Sequence, residues 1–485
     1  MAVNTPGGIS ERQTLENIVL QGDTWGSLLA SVQVDTIAKE CSEAGYGYRY
    51  KDILPVGLLG LVDDTIGVTE AGYQAQMMNA FLNVKTAEKG LQFGLKKCKS
   101  MLIGKNHENV INSKLFVDTW SVEHVEDEMT GDTELVEHYD GLSEIGTCTE
   151  QKYLGFILSS IGDNMANIRA LRNKSIGIIR QIFTKLNSLK LQKYYFECGV
   201  IFLNVTLRSS ILYACETYYN LKENEIRQIE RIEESYMRQL LKTTKGCPIT
   251  QMYLELGQTP ARFDIFKLRL LFLKYILDQG SDSLIQKFFY LQLEQPTKGD
   301  WASACSDNLK DLEINLSMDE IKEMSLSRYQ SLVRKKCKEK AFHYLLMRRG
   351  SKGMEIDYPE VQMAEYLQPN EELTIEQQRQ QFEIRNRMVN IPANFSATNT
   401  TKCICNEIEN MRHIYNCKYL NKEEPGLEYE KLFNGNISEQ KCVSKRFETN
   451  MKTRNEYIEK TKEESDHVIH DSDPLYSVSV EYGNG

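Results

Sequence analysis

Residues 403–417 read "CICNEIENMRHIYNC", and no other stretch limits so tightly what this chain can fold into. Cys403 and Cys405 are separated by one residue, His413 follows after seven more, and Cys417 after three. Zn²⁺ prefers four thiolate or imidazole ligands in a tetrahedron, and one short loop supplying all four is a common solution. His413 and Cys417 are four apart and share a face of a helical turn, while the Cys-x-Cys comes from a knuckle ahead of it. Scattered reduced thiols are the alternative, and nine of the chain's twelve cysteines fit it. Three thiols and a histidine within fifteen residues do not. We expect zinc on Cys403, Cys405, His413 and Cys417, in a knuckle spanning 396–425.

With 485 residues the chain is long enough for several domains. No apolar run approaches membrane-spanning length. The opening "MAVNTPGGISERQ" lacks the basic and apolar regions of a secretory signal. Cysteines spread singly point to a reducing compartment, so an intracellular protein of nucleus or cytoplasm, with no membrane partner, is expected. The net charge of −10 conceals a division. Residues 101–150 carry twelve acids against two bases, whereas 151–250 carry fifteen bases against eight acids. The second segment offers a field for phosphate; solvated helix faces are the plainer reading.

Helical spacing marks "SLLASVQVDTIAKE" at 27–40 and a second helix at about 70–90. "ILPVGLLGLV" and "TIGVT" read as two short strands, "LQFGLKKCKSMLIGK" as a turn at Gly94 ending in a strand, and 105–150 as an acidic hairpin or loop. From 162 the pattern is helical. The best-marked helix covers 221–245, with Asn220 as cap, an apolar stripe of Ile226, Ile229, Ile232, Tyr236 and Leu240, and Gly246 and Pro248 at its end. Thr259-Pro260 opens another whose apolar residues surround it, so it belongs between neighbours. Polar residues 306–320 lead to helices at 318–349 and 371–391. The last twenty-three residues, with six acids and no Lys or Arg, read as a disordered tail.

Within "GLLGLVDDTIGVT", residues 57–69, Asp63 and Asp64 interrupt an apolar run. Paired aspartates there serve either a tight turn or a divalent-cation site at a hairpin tip. The dipeptide alone leaves both open.

Together these blocks resemble reverse transcriptases of non-LTR retrotransposons. "GISERQTLENIVLQGDTWGSLLASVQVD" resembles their second block, in which a Gln-Gly turn opens a palm helix. "GLVDDTIGV" is similar to the Asp-Asp hairpin, "GLQFGLKKCKSMLIG" to the following Gly-Leu and Lys-Ser block, and "QKYLGFILSSIG" to the strand at the palm–thumb junction. The cysteine cluster resembles the CCHC knuckle downstream, and the order holds from residue 7 to about 420. The resemblance implies Mg²⁺ on Asp63 and Asp64, Lys99 beside the leaving pyrophosphate, and template or nucleotide contact at Gln21 and Gly22. It implies RNA and DNA as partners and RNA-directed DNA polymerase activity in the family. The fingers and the first palm block, with its further metal-binding aspartate, have no counterpart here. The chain therefore resembles the C-terminal half of such an enzyme, expected to be inactive alone, with the missing N-terminal half as a further partner. The alternatives are a non-catalytic nucleic-acid-binding protein using thumb and knuckle, and a helical interaction scaffold. The expected fold is mainly α with a small α+β part: a partial palm (1–104), an acidic insertion (105–150), a thumb-like bundle (151–285), a helical connector (286–395), the knuckle, and an acidic, partly disordered tail (426–485).

Overall fold

The computed structural model describes residues 4–5, 8–9, 26–62, 64–89, 93–104, 114–126, 133–243, 246–349, 356–389, 391, 394, 402–423 and 426–470. The chain is mainly helical, with small antiparallel sheets. It divides into two compact units. One comprises Met1–Ala170, Tyr218–Leu221 and Ile276–Ala304, the other Leu171–Thr217, Lys222–Tyr275 and Cys305–Gly485.

In chain order the first elements are β1 (Asn4–Thr5), β2 (Gly8–Ile9), α1 (Gly26–Glu43), β3 (Tyr48–Tyr50), β4 (Leu54–Val56), β5 (Leu58–Leu61), β6 (Asp64–Gly67) and α2 (Gly72–Glu88). The long hairpin β7 (Leu115–Glu126) and β8 (Thr133–Ile145) follows, then β9 (Glu150–Tyr153) and β10 (Phe156–Ser159). Every described sheet is a two-stranded antiparallel pair. Such pairs are marginal unless a helix covers them, and α1 packs on β5, where Val34 lies against Gly60. The apolar run 53–62 is two strands rather than the expected one. It breaks at Gly57, which the backbone of Gly47 approaches so closely that a Cβ on Gly47 would stand 2.6 Å from Gly57 Cα. β4 therefore pairs with β3, and β5 with β6.

The segment after Gly94 also departs from expectation. It turns at 94–98 but forms only an isolated bridge, Ser100 to Thr147, in place of a strand. Tyr153-Leu154-Gly155 is a hairpin turn with both Leu154 (φ 48°) and Gly155 (φ 83°) left-handed, and it joins β9 to β10. The acidic 105–150 segment holds the β7–β8 hairpin, in line with one of its two readings.

The helices are α3 (Met165–Ser188), α4 (Tyr195–Phe202), α5 (Ser209–Ile211), α6 (Glu223–Leu241), α7 (Ile249–Glu255), α8 (Ala261–Leu277), α9 (Leu284–Glu294) and α10 (Trp301–Asp311). Then come α11 (Met318–Glu323), α12 (Leu326–Met347), α13 (Ile375–Arg385), α14 (Met411–Asn416), α15 (Lys431–Asn434) and α16 (Ile437–His470). A π-helical turn, Leu203–Arg208, lies between α4 and α5 and ends with the Arg208 guanidinium 2.7 Å from the buried Glu233 carboxylate.

The stripe expected on α6 is buried throughout: Ile226, Ile229, Ile232, Tyr236 and Leu240. Its start is two residues later than the Asn220 cap. Asn220 is left-handed (φ 45°) and outside the helix, and the Glu225 carboxylate accepts the Lys222 N–H at 2.8 Å instead. The C-terminus is Lys242, left-handed at φ 54°, several residues before Gly246. Beside the stripe, Glu230 and Glu233 are buried against Arg262 and Arg208, while Asn224, Arg231, Ser235 and Gln239 form the exposed face. Polar residues 306–311 are the second half of α10, not a connector.

The largest departure is at the C-terminus. Residues 437–470, within the segment expected as a partly disordered tail, are helical. Val443 and Phe447 of this helix are buried in the core that surrounds the cysteine cluster. Acidic composition at the very end concealed an apolar and basic stripe earlier in the same segment; 471–485 lie outside the described residues.

Candidate metal centre

The knuckle begins as a tight hairpin. Lys402 bridges Ile408, Cys403 N–H donates to the Glu407 carbonyl at 2.8 Å, and Asn406 N–H donates to the Cys403 carbonyl at 2.8 Å. Asn406 takes the left-handed conformation (φ 72°) that the turn demands, and Asn tolerates it better than most residues. This closes the backbone so sharply that Cys403 and Cys405 both face inward despite their single-residue spacing. Asn410 then caps α14, its side chain accepting the His413 N–H at 2.8 Å. His413 lies in the helix and Cys417 at its C-terminal cap.

The four ligand atoms all lie within 4.8 Å of one another. The sulfurs of Cys403 and Cys417 are 3.7 Å apart, and Cys405 Sγ is 3.2 Å from His413 Nε2. A tetrahedral ion with metal–sulfur bonds of about 2.3 Å separates its sulfurs by about 3.7 Å, so the donor set fits zinc in both chemistry and size. Cys403 and Cys417 are free thiols, much too far apart for a disulfide. Without metal, burial pushes the Cys403 thiol up to about 12, and the neighbouring Cys417 adds to the effect. Metal binding must therefore displace protons and strengthens as pH rises.

Three supporting interactions carry no signal in the cluster's own spacing. His413 Nδ1 is 3.0 Å from the Glu407 carboxylate, an arrangement that orients the ring and leaves Nε2 to face Cys405. Arg454 of α16 forms a bidentate pair with Glu409, at 2.7 and 2.6 Å, and both side chains are buried. Asn450 adds hydrogen bonds to the carbonyls of Ile414 (2.7 Å) and Tyr415 (3.0 Å). The Asn-x-x-His spacing of the cap was legible; the long-range partners on α16 carry no local signal.

The other site candidates are distributed differently. Gln21, Gly22 and Asp63 lie outside the described residues. Asp64 is the exposed first residue of β6, opposite Leu61, and its carbonyl accepts from the Tyr153 hydroxyl at 3.5 Å. Lys99 is exposed and lies against Gly146; no ion pair joins it to Asp64 among the described residues. The metal cluster is thus the one expected site whose residues are all described and brought together.

The positive excess of 151–250 is partly internal. Arg208 pairs with Glu233, and Arg227 with Glu230 and Glu234. On α3 the outcome differs. Residues 171–188 contain no acid, and Arg172, Lys174, Arg180 and Lys185 are all exposed, with no ion pair among the described residues. From the first to the last of these bases the helix extends about 20 Å. No helix among the described residues is long and apolar enough to cross a membrane. No model of a known protein family matches the chain, and no curated protein matches it.

Proposed function

We propose that this protein is a nucleic-acid-binding protein of reverse-transcriptase ancestry that holds RNA or DNA through α3 and a zinc knuckle and does not polymerise alone. The four exposed bases of α3, Arg172, Lys174, Arg180 and Lys185, which have no ion pair among the described residues, carry the reading. Four exposed cations on one rigid helix, with no acid to neutralise them locally, suit a phosphate backbone better than a protein partner. The resemblance places this helix in the thumb and assigns the small hairpins to a partial palm. The β5–β6 pair, joined to no third strand among the described residues, agrees with a palm that lacks its first block.

In such a palm Mg²⁺ would be held by Asp63 and Asp64 and would supply charge neutralisation at the triphosphate. Mg²⁺ is seldom retained by one or two carboxylates without substrate phosphates, so a palm holding the ion through this pair alone would be far slower than one with a further ligand. The knuckle, by contrast, has its full set of four.

Fluorescence polarisation with labelled single-stranded RNA and DNA tests the reading. Affinity is expected to fall steeply between 50 and 200 mM salt, by about tenfold or more for a few phosphate contacts. Replacing Arg172 and Arg180 together with alanine should flatten that dependence. Binding that ignores both salt and these substitutions would refute it. A primer-extension assay with Mg²⁺ and all nucleotides is expected to be blank, and extension abolished by Asp63→Asn would overturn the inactive assignment.

A further inference from the structure

Beside the metal cluster lies a cavity of about 640 Å³, within the range of small-ligand sites. Four segments wall it: Asp357 ahead of α13, Arg387 and Asn394 after α13, Asn410 at the head of α14, and Tyr429, Phe433 and Asn434 at α15. Three properties select what it can hold.

The first is aromatic surface. Tyr429 and Phe433 both line the cavity and are in edge-to-face contact, with centroids 5.7 Å apart and planes at 80°.

The second is a set of amides with capacity left over. Asn410 uses its oxygen on the His413 N–H at 2.8 Å, and its NH₂ has no acceptor among the described residues. Asn394 donates to the Val389 carbonyl at 2.9 Å, and its own oxygen has no donor there. The Asn434 side chain is exposed and makes no hydrogen bond among the described residues. Donors and acceptors are therefore both on offer within one cavity.

The third is charge. Arg387 and Arg412 are balanced by Asp357 and Glu430, and Arg412 pairs directly with Glu430. A cavity with no net formal charge does not concentrate polyanions. An apolar ligand would leave the amides stranded, and a triphosphate would meet two carboxylates. A flat, neutral heterocycle with donors and acceptors on its edge satisfies all three properties.

We infer that this cavity is a binding site for one nucleobase. The base comes either from an unpaired strand or from a free nucleotide. The strand as source rests on the nucleic-acid-binding reading above; the pocket itself does not. Aromatic side chains supply a stacking surface that any base can use, and the amides read its edge. The chemistry is binding only, with no covalent step.

The test uses full-length, zinc-loaded protein. A single-stranded dodecamer carrying 5-iodouracil is photo-crosslinked and the adduct mapped by mass spectrometry, while the four nucleoside 5′-monophosphates are titrated by calorimetry. Expected is a crosslink on Tyr429 or Phe433, suppressed by excess uridine monophosphate. Asn434→Trp, which fills the mouth from an exposed position, should weaken strand binding about tenfold, the effect of losing one stacked base, and leave its salt dependence unchanged. Should that variant fold poorly, Asn434→Ala and the competition by free nucleotide carry the test. Monophosphate binding without a strand crosslink assigns the pocket to free nucleotides. Salt-dependent strand binding with no crosslink here and no monophosphate binding overturns the pocket and leaves the nucleic-acid reading standing. Monophosphate binding with no strand binding at any salt does the reverse.

Discussion

Removing the Arg454 guanidinium should loosen the metal centre from a helix that contributes no ligand. Arg454→Met keeps most of the aliphatic stem and deletes the fork that grips Glu409 through both oxygens, at 2.7 and 2.6 Å. Glu409 is 2% exposed, so its carboxylate would remain buried without its cation. Breaking a buried pair from one side costs about 3–5 kcal/mol, because the surviving charge is neither solvated nor matched. The loss falls locally, on the knuckle and the α16 segment that holds it. The free energy of local opening in these segments should drop by that amount. Amide exchange across 402–423 and 443–454 would then accelerate between roughly a hundredfold and a few thousandfold, since each 1.4 kcal/mol is about a factor of ten. Zinc retention against a chelator should shorten in parallel. The double substitution Arg454→Met with Glu409→Leu removes both charges and should recover much of the protection. An acceleration below tenfold in the single variant, or a double variant no better than the single, would refute this account.

Four further outcomes are expected. His413→Ala should release zinc, measured by metal content of the purified protein, and raise exchange across 402–423 while α6 and α8 stay protected; a preparation of the unaltered protein without zinc would sink the metal assignment. Glu407→Gln should weaken zinc about tenfold in competition with a chelating indicator, because the carboxylate that orients His413 is reduced to a weaker acceptor. Zinc binding in weakly buffered solution should release protons and weaken as pH falls, since the Cys403 thiol, raised to about 12 without metal, must be deprotonated by the ion; pH-independent affinity would contradict it. Gly257→Ala should destabilise the larger helical unit by about 1–3 kcal/mol in thermal unfolding, because Gly257 has φ +64° and a Cβ there would stand 2.3 Å from the backbone nitrogen of Met363.

What the sequence made legible was local. The α6 stripe, the buried α8, the pairing of β5 with β6 and the four ligands of the knuckle are all written in spacings of two, three or four residues. The misses arose where a distant partner overrode a local preference. Asn220 looked like a cap, yet it packs beside Gly299, where a Cβ would touch its side chain at 2.9 Å, and the helix starts beyond it. The apolar run 53–62 looked like one strand until the Gly47–Gly57 approach divided it. The burial of Glu230 and Glu233 has no local signal, because their partners Arg262 and Arg208 lie thirty-two and twenty-five residues away. Helix α16 was missed for a compositional reason: the acidic end of the chain outweighed Val443, Phe447 and Arg454.

The clasp of α16 on the knuckle changes what a truncation means for this chain. A premature stop anywhere from 437 to 450 leaves Cys403, Cys405, His413 and Cys417 untouched in the message. The product nonetheless lacks the asparagine that holds the Ile414 and Tyr415 carbonyls and the arginine that neutralises Glu409. All four ligands would be present, but the frame that presents them would be short of its C-terminal half. Metal should then exchange freely in a protein whose ligand residues are unaltered. The functional boundary of the knuckle is accordingly Arg454 rather than the last ligand, thirty-seven residues earlier at Cys417.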